Sequence, residues 1–164
     1  MKKILSIVAA LVFTFSLVSY AQTSLPNAQN EVSVSGGSAY GTTGVYARTF
    51  TTVTQSVGSD ITYTSDAVNG DSFTINHTGL YALSYTDGGG VAATVGVSIN
   101  YSAASAWHLA WGTANELCAF TFGDSASSCS VVVYLSSGDV IRAHSDSLIT
   151  NTSSIAKFVI TEIR

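Results

Sequence analysis

Between Ser72 and Thr86 apolar and polar residues alternate almost without fault. Phe73, Ile75, Tyr81, Leu83 and Tyr85 take odd positions, while Thr74, Asn76, Thr78, Ser84 and Thr86 take even ones. A period of two turns one set towards a core and the other towards water, so this stretch predicts β-strand. Leu80 is the apolar exception in the even set. His77-Thr78-Gly79 interrupts the run and predicts a bend or bulge, and Asp87-Gly88-Gly89-Gly90 predicts the turn that ends it. Thr94 to Tyr101 repeats the alternation through Val95, Val97, Ile99 and Tyr101. Val131 to Leu135 and Phe158-Val159-Ile160 are instead apolar at consecutive positions, which predicts strands covered on both faces. One face meets the domain's own core, and the other needs a neighbouring subunit or loops. From Val45 onward no stretch carries a 3.6-residue apolar period, so helices should be few. Short strands separated by Gly, Ser and Asp turns indicate an all-β, two-sheet antiparallel sandwich or jelly roll.

The first residues follow another rule. Lys2 and Lys3 precede an apolar run from Ile4 to Val18, and Ser19-Tyr20-Ala21 supplies small residues at the −3 and −1 positions of a cleavage site. This is the layout of a secretory signal peptide over residues 1–21, with an apolar run shorter than the ~20 residues of a spanning helix. The chain is thus expected to be secreted, extracellular or at the cell surface, with the periplasm as the other compartment. No membrane insertion is expected after cleavage. Residues 22–44, rich in Gly, Ser, Thr, Asn and Gln and holding the one proline, Pro26, read as a flexible lead-in with room for a short strand at Glu31 to Ser35. The domain proper is expected at 45–164.

Within that domain, Phe73-Thr74-Ile75 followed by Gly79-Leu80-Tyr81-Ala82-Leu83-Ser84-Tyr85 resembles a signature of the C1q/TNF-like jelly rolls. Leu135-Ser136-Ser137-Gly138-Asp139-Val140-Ile141 is similar to the family's Leu-x-x-Gly-Asp-x-Ile/Val element, and Ser154 to Ile163 resembles its closing strand, with Phe158 at the aromatic position. The three matches occur in family order over residues 45–164. The resemblance implies a ten-strand jelly roll that trimerises through its heads, with aromatic and aliphatic residues along the three-fold axis. Similar stand-alone secreted domains occur in bacteria. No collagen-like stalk is present, so assembly would rest on the heads alone.

Charge narrows the partners. After cleavage ten acidic residues face four basic ones, Arg48, Arg142, Lys157 and Arg164. Four scattered cations cannot form the basic stripe that a phosphate backbone requires, so nucleic acid is excluded as an expected partner. Charged residues are only 10% of the chain, a surface suited to oligomers and to neutral polar ligands.

Candidate chemistry is sparse. Cys118 and Cys129, the only cysteines of an exported chain, predict one disulfide, read as tying the two arms of one hairpin. His77, His108 and His144 show no metal-ligand spacing, and no Gly-x-Ser-x-Gly elbow is present, so no catalytic residue, no resident metal and no enzyme activity are expected. The family resemblance implies calcium in some members. Acidic loop residues that could take it are Asp66, Asp71, Asp124 and Asp146, while Asp139 has a competing role in the Ser137-Gly138-Asp139 turn. Tyr101, Trp107 and Trp111 flank a Ser/Ala-rich segment and form either a platform for a sugar or protein ligand or part of the core or trimer seam. The expected function is a secreted or surface binding or adhesion module, homotrimeric, for an unidentified protein or glycan. Its alternatives are a structural cap of a larger assembly and, remotely, a secreted hydrolase.

Overall fold

Alternation is realised strand by strand. In the computed structural model, which describes residues 30–37, 39–42, 46–88, 93–101, 114–123, 125–145 and 153–164, Phe73, Ile75, Tyr81, Leu83 and Tyr85 are all buried and Leu80 is exposed. Twelve strands and no helix occur among these residues: β1 (Glu31–Gly37), β2 (Ala39–Tyr40), β3 (Arg48–Thr49), β4 (Thr52–Val57), β5 (Ile61–Thr64), β6 (Ser72–Ile75), β7 (Gly79–Asp87), β8 (Ala93–Ile99), β9 (Glu116–Phe122), β10 (Ser127–Leu135), β11 (Val140–Ser145) and β12 (Ser153–Ile163). They form two five-stranded antiparallel sheets, β10-β7-β12-β1-β4 and β5-β6-β11-β8-β9, with a small β2-β3 pair beside them. The break at His77-Thr78-Gly79 is more than a bend: it carries the chain from β6 in the second sheet to β7 in the first.

Register explains the core. In the first sheet Cys129, Tyr85, Phe158 and Val34 lie side by side on the inner face, and Val131, Leu83, Ile160 and Val32 form the next row, while the edge strand β4 is exposed along its length. Phe158 sits at the centre, its ring 4.8 Å from Phe73 of the opposite sheet and 5.7 Å from Tyr85, both edge-on. Offset and edge-to-face pairs of this kind add to the area they bury.

Strand β1 realises the short strand expected at Glu31 to Ser35 and extends it to Gly37. It is a full seven-residue strand, paired to β12 on one side and β4 on the other, with Val32 and Val34 buried. Ser33 between these valines, and Ser35-Gly36-Gly37 after them, give it the composition of a linker. Two apolar residues suffice because the neighbouring strands supply the rest of the core.

The disulfide also differs from the hairpin expectation. Cys118 and Cys129 are bonded, yet β9 pairs with β8 in the second sheet and β10 with β7 in the first. The bridge therefore closes one edge of the sandwich by linking its two sheets. Val131 to Leu135 is expected to be covered on both faces, by a neighbouring subunit or by loops. Within one copy, Val132 and Tyr134 of that strand are 59% and 67% exposed, so no described loop covers its outer face.

Candidate functional site

The outer face of the first sheet is built from the even positions of β7 and β10 and the odd positions of β12. Tyr134, Leu80 and Ile163 stand directly opposite one another across these three strands, all exposed. The adjacent row is Val132, Ala82 and Thr161, and the next is Ser130, Ser84 and Val159. Small residues at the middle of the second and third rows, Ala82 and Ser84, leave a pit of about 300 Å³ walled by Val132 and Val159. A ridge of large apolar side chains thus borders a shallow hole on the same face. Contiguous exposed apolar surface of this type marks a place of contact with another molecule.

A second constellation sits where β12 ends and lies partly inside the sandwich. Glu162 is buried on the inner face, beside Tyr81 in register. Its Oε2 accepts hydrogen bonds from Asn30 Nδ2 at 2.9 Å and Arg164 Nε at 2.7 Å, and Oε1 lies 2.8 Å from His77 Nδ1. Burial works to raise the carboxyl pKa of Glu162, but hydrogen bonds from Asn30, His77 and Arg164, with the charge of Arg164, outweigh it and hold the value below the usual one. Asp60 Oδ2 joins the group, accepting from Asn30 Nδ2 at 2.9 Å and Arg164 Nη2 at 2.6 Å. The amide oxygen of Asn30 in turn accepts from the backbone N–H of Ser59 at 3.0 Å. Gly58, at φ +79°, makes this turn possible, because a Cβ there would fall 1.6 Å from Asn30 Oδ1. The Tyr81 hydroxyl donates to the His77 carbonyl at 2.6 Å, and its pKa is pushed up to about 12, by burial first and by the nearby Glu162 and Asp60 carboxylates.

At the other end of the core Arg48 and Asp87 form an ion pair at 2.8 Å with both side chains fully buried. Tyr85 donates to Asp87 Oδ2 at 2.6 Å, and the Arg48 guanidinium lies 5.0 Å from the Tyr40 ring centroid. Desolvation opposes the charge on Arg48, but Tyr85, Tyr40 and Asp87 outweigh it and raise its pKa.

Sequence-derived candidates fall in several places. Trp107, Trp111, Asp124 and Asp146 lie outside the described residues, as does His108. Tyr101 is half-buried, packing edge-on against His144 at 6.1 Å, with its carbonyl accepting from Arg142 Nη1 at 3.0 Å. Asp71 accepts from the Phe50 and Asp66 backbone N–H groups and from the Tyr63 hydroxyl, and Asp66 from the Val68 and Asn69 backbone N–H groups and the Asn69 amide. Both carboxylates thus tie down one loop. Asp139 accepts from Ser136 N at 2.7 Å and Asn100 Nδ2 at 2.7 Å, holding the turn that its Gly-Asp position implies. The grouping of Asp60, His77 and Glu162 was missed because their positions in the chain carry no short-range spacing signal.

No protein-family model matches the sequence, and no curated protein matches it. Shape speaks more clearly. The chain is similar to murine APRIL at pH 8.5, with a TM-score of 0.61 at 12% identity over 82% of this chain and 99% of that one. It is also similar to GITRL from bushbaby, with a TM-score of 0.50 at 12% identity over 82% and 94% of the two chains. The fold is a TNF-like jelly roll. At these identities the likeness concerns architecture alone.

Proposed function

We propose that this chain is an exported binding module that works as a homotrimer of TNF-like heads and recognises a protein or glycan through its loops, without catalysis. Its leader is removed after Ala21, and the domain follows. The observation that carries this reading is the uncovered apolar face of the first sheet: Tyr134, Leu80, Ile163 and Val132 beside the Ala82/Ser84 pit. Leaving such side chains in water forgoes roughly 1.5–3 kcal/mol for each that a partner would bury. A second copy carries both the protruding Tyr134 and the receiving pit, so like surfaces complement one another.

Native mass in solution tests the assembly. The exported form should run at three subunits, and Tyr134→Asp, which places a charge on the face without touching the core, should run as one folded subunit. A single-subunit mass for the unaltered protein would overturn the trimer. Recognition is tested separately by presenting the assembled protein to a glycan array and to intact cells. Specific retention supports the binding module, and none would leave a structural cap.

A further inference from the structure

We propose that Asp60, His77 and Glu162 form a binding site for a borderline divalent cation of the zinc type, in which the metal replaces the guanidinium of Arg164. One ligand atom from each of the three residues lies within 4.8 Å of the other two, and the residues come from three separated parts of the chain. His77 Nδ1 stands 2.8 Å from Glu162 Oε1 and 4.0 Å from Asp60 Oδ2, a spread that an ion at ~2.0–2.2 Å from each ligand can bridge with small rotations. One imidazole and two carboxylates with solvent on one side is a three-ligand set with an open fourth position. Such a set suits zinc and its transition-metal neighbours better than calcium, which prefers an all-oxygen shell.

Two further observations distinguish this group from a chance pairing. Asn30 Nδ2 donates to both carboxylates at 2.9 Å, and its Oδ1 is held by the Ser59 backbone, so both ligands are oriented from behind. The site also already binds a cation: Arg164 places Nη2 2.6 Å from Asp60 and Nε 2.7 Å from Glu162. Two carboxylates, one of them almost fully buried, require positive charge between them. Arg164 is partly exposed on a flexible stem and can swing into water when a divalent ion takes its place. His77, 59% exposed, opens the site to solvent. A bound ion would join the start of β1, the turn before β5, the β6–β7 crossover and the end of β12.

The test uses the untagged exported form, stripped with chelator and titrated with zinc chloride by calorimetry, with thermal unfolding followed in parallel. One zinc per chain is expected, with a Tm that climbs as zinc is added. His77→Ala, at an exposed position, should weaken binding at least tenfold and remove the Tm shift. Arg164→Gln should tighten binding by removing the competing cation. The proposal is overturned if neither the unaltered protein nor Arg164→Gln binds zinc. It is equally overturned if His77→Ala binds as well as the unaltered protein, or if calcium chloride binds the site more tightly than zinc.

Discussion

His144 shows how much one residue's surroundings can alter its chemistry. Its side chain is fully buried on β11, and burial, then the neighbouring Arg142 charge, pulls its pKa from 6.5 down to about 3. The folded protein therefore keeps the ring neutral, whereas the unfolded chain takes up a proton below about pH 6.5. Between these two values the unfolded state binds more protons, so stability is complete above pH 6.5 and declines as pH falls towards 3. The slope is about 1.4 kcal/mol per pH unit, or roughly 2 kcal/mol by pH 5. Urea unfolding at pH 7.5 and pH 5 should record that loss, and His144→Phe should shrink it by about the same amount. An unchanged pH dependence in His144→Phe would show that other groups are responsible. In the sequence His144 is one of three scattered histidines, because the main cause of its depressed pKa is burial within the folded sheets, which its place in the chain does not reveal.

Strands are the level at which the sequence is most informative. Alternation located β6 and β7 because each has one face on the core, and a period of two is the direct imprint of that geometry. β8 alternates in sequence although both its faces are buried. β1 was legible only as a short strand at Glu31 to Ser35 inside a lead-in, because a central strand with small serines and glycines carries little periodic signal. The disulfide was legible as a bond but not as an inter-sheet tie, since pairing partners are a property of topology. That topology has a consequence. β9 and β10 are edge strands of different sheets, joined at Cys118–Cys129 across 11 positions. Closing a loop of this length contributes about 2–3 kcal/mol in the chain-entropy account. Replacing both cysteines by alanine should lower the stability by about that amount and expose Phe120 and Val133, half-buried beside the core, to faster exchange and proteolysis. Denaturant unfolding and limited proteolysis together read this. Loss of stability without faster cleavage between Glu116 and Leu135 would place the bridge's effect elsewhere than at the sandwich edge.

For the whole molecule the decisive question is where the cooperative unit begins. Composition alone put the boundary at Val45, whereas β1, ahead of it, is paired with both β12 and β4. A chain starting at Val45 would lose Val32 and Val34 from the core, the burial of each contributing about 1.5–3 kcal/mol. It would also expose the inner edge of β12, strand β4 would have no neighbour, and Glu162 would keep its buried charge without the Asn30 amide. A domain of this size has only about 5–15 kcal/mol of net stability, so these losses together are enough to abolish folding. A chain starting at Asn30 retains every one of these contacts. It should show β-sheet circular dichroism and a single cooperative melt within a few degrees of the exported form. The chain from Val45 should show neither, and adding a peptide of residues 30–37 in excess should restore part of the signal by filling the vacant position between β12 and β4. A cooperative melt from the Val45 chain would mean that β1 is an accessory strand, and the core would have to close without its central partner.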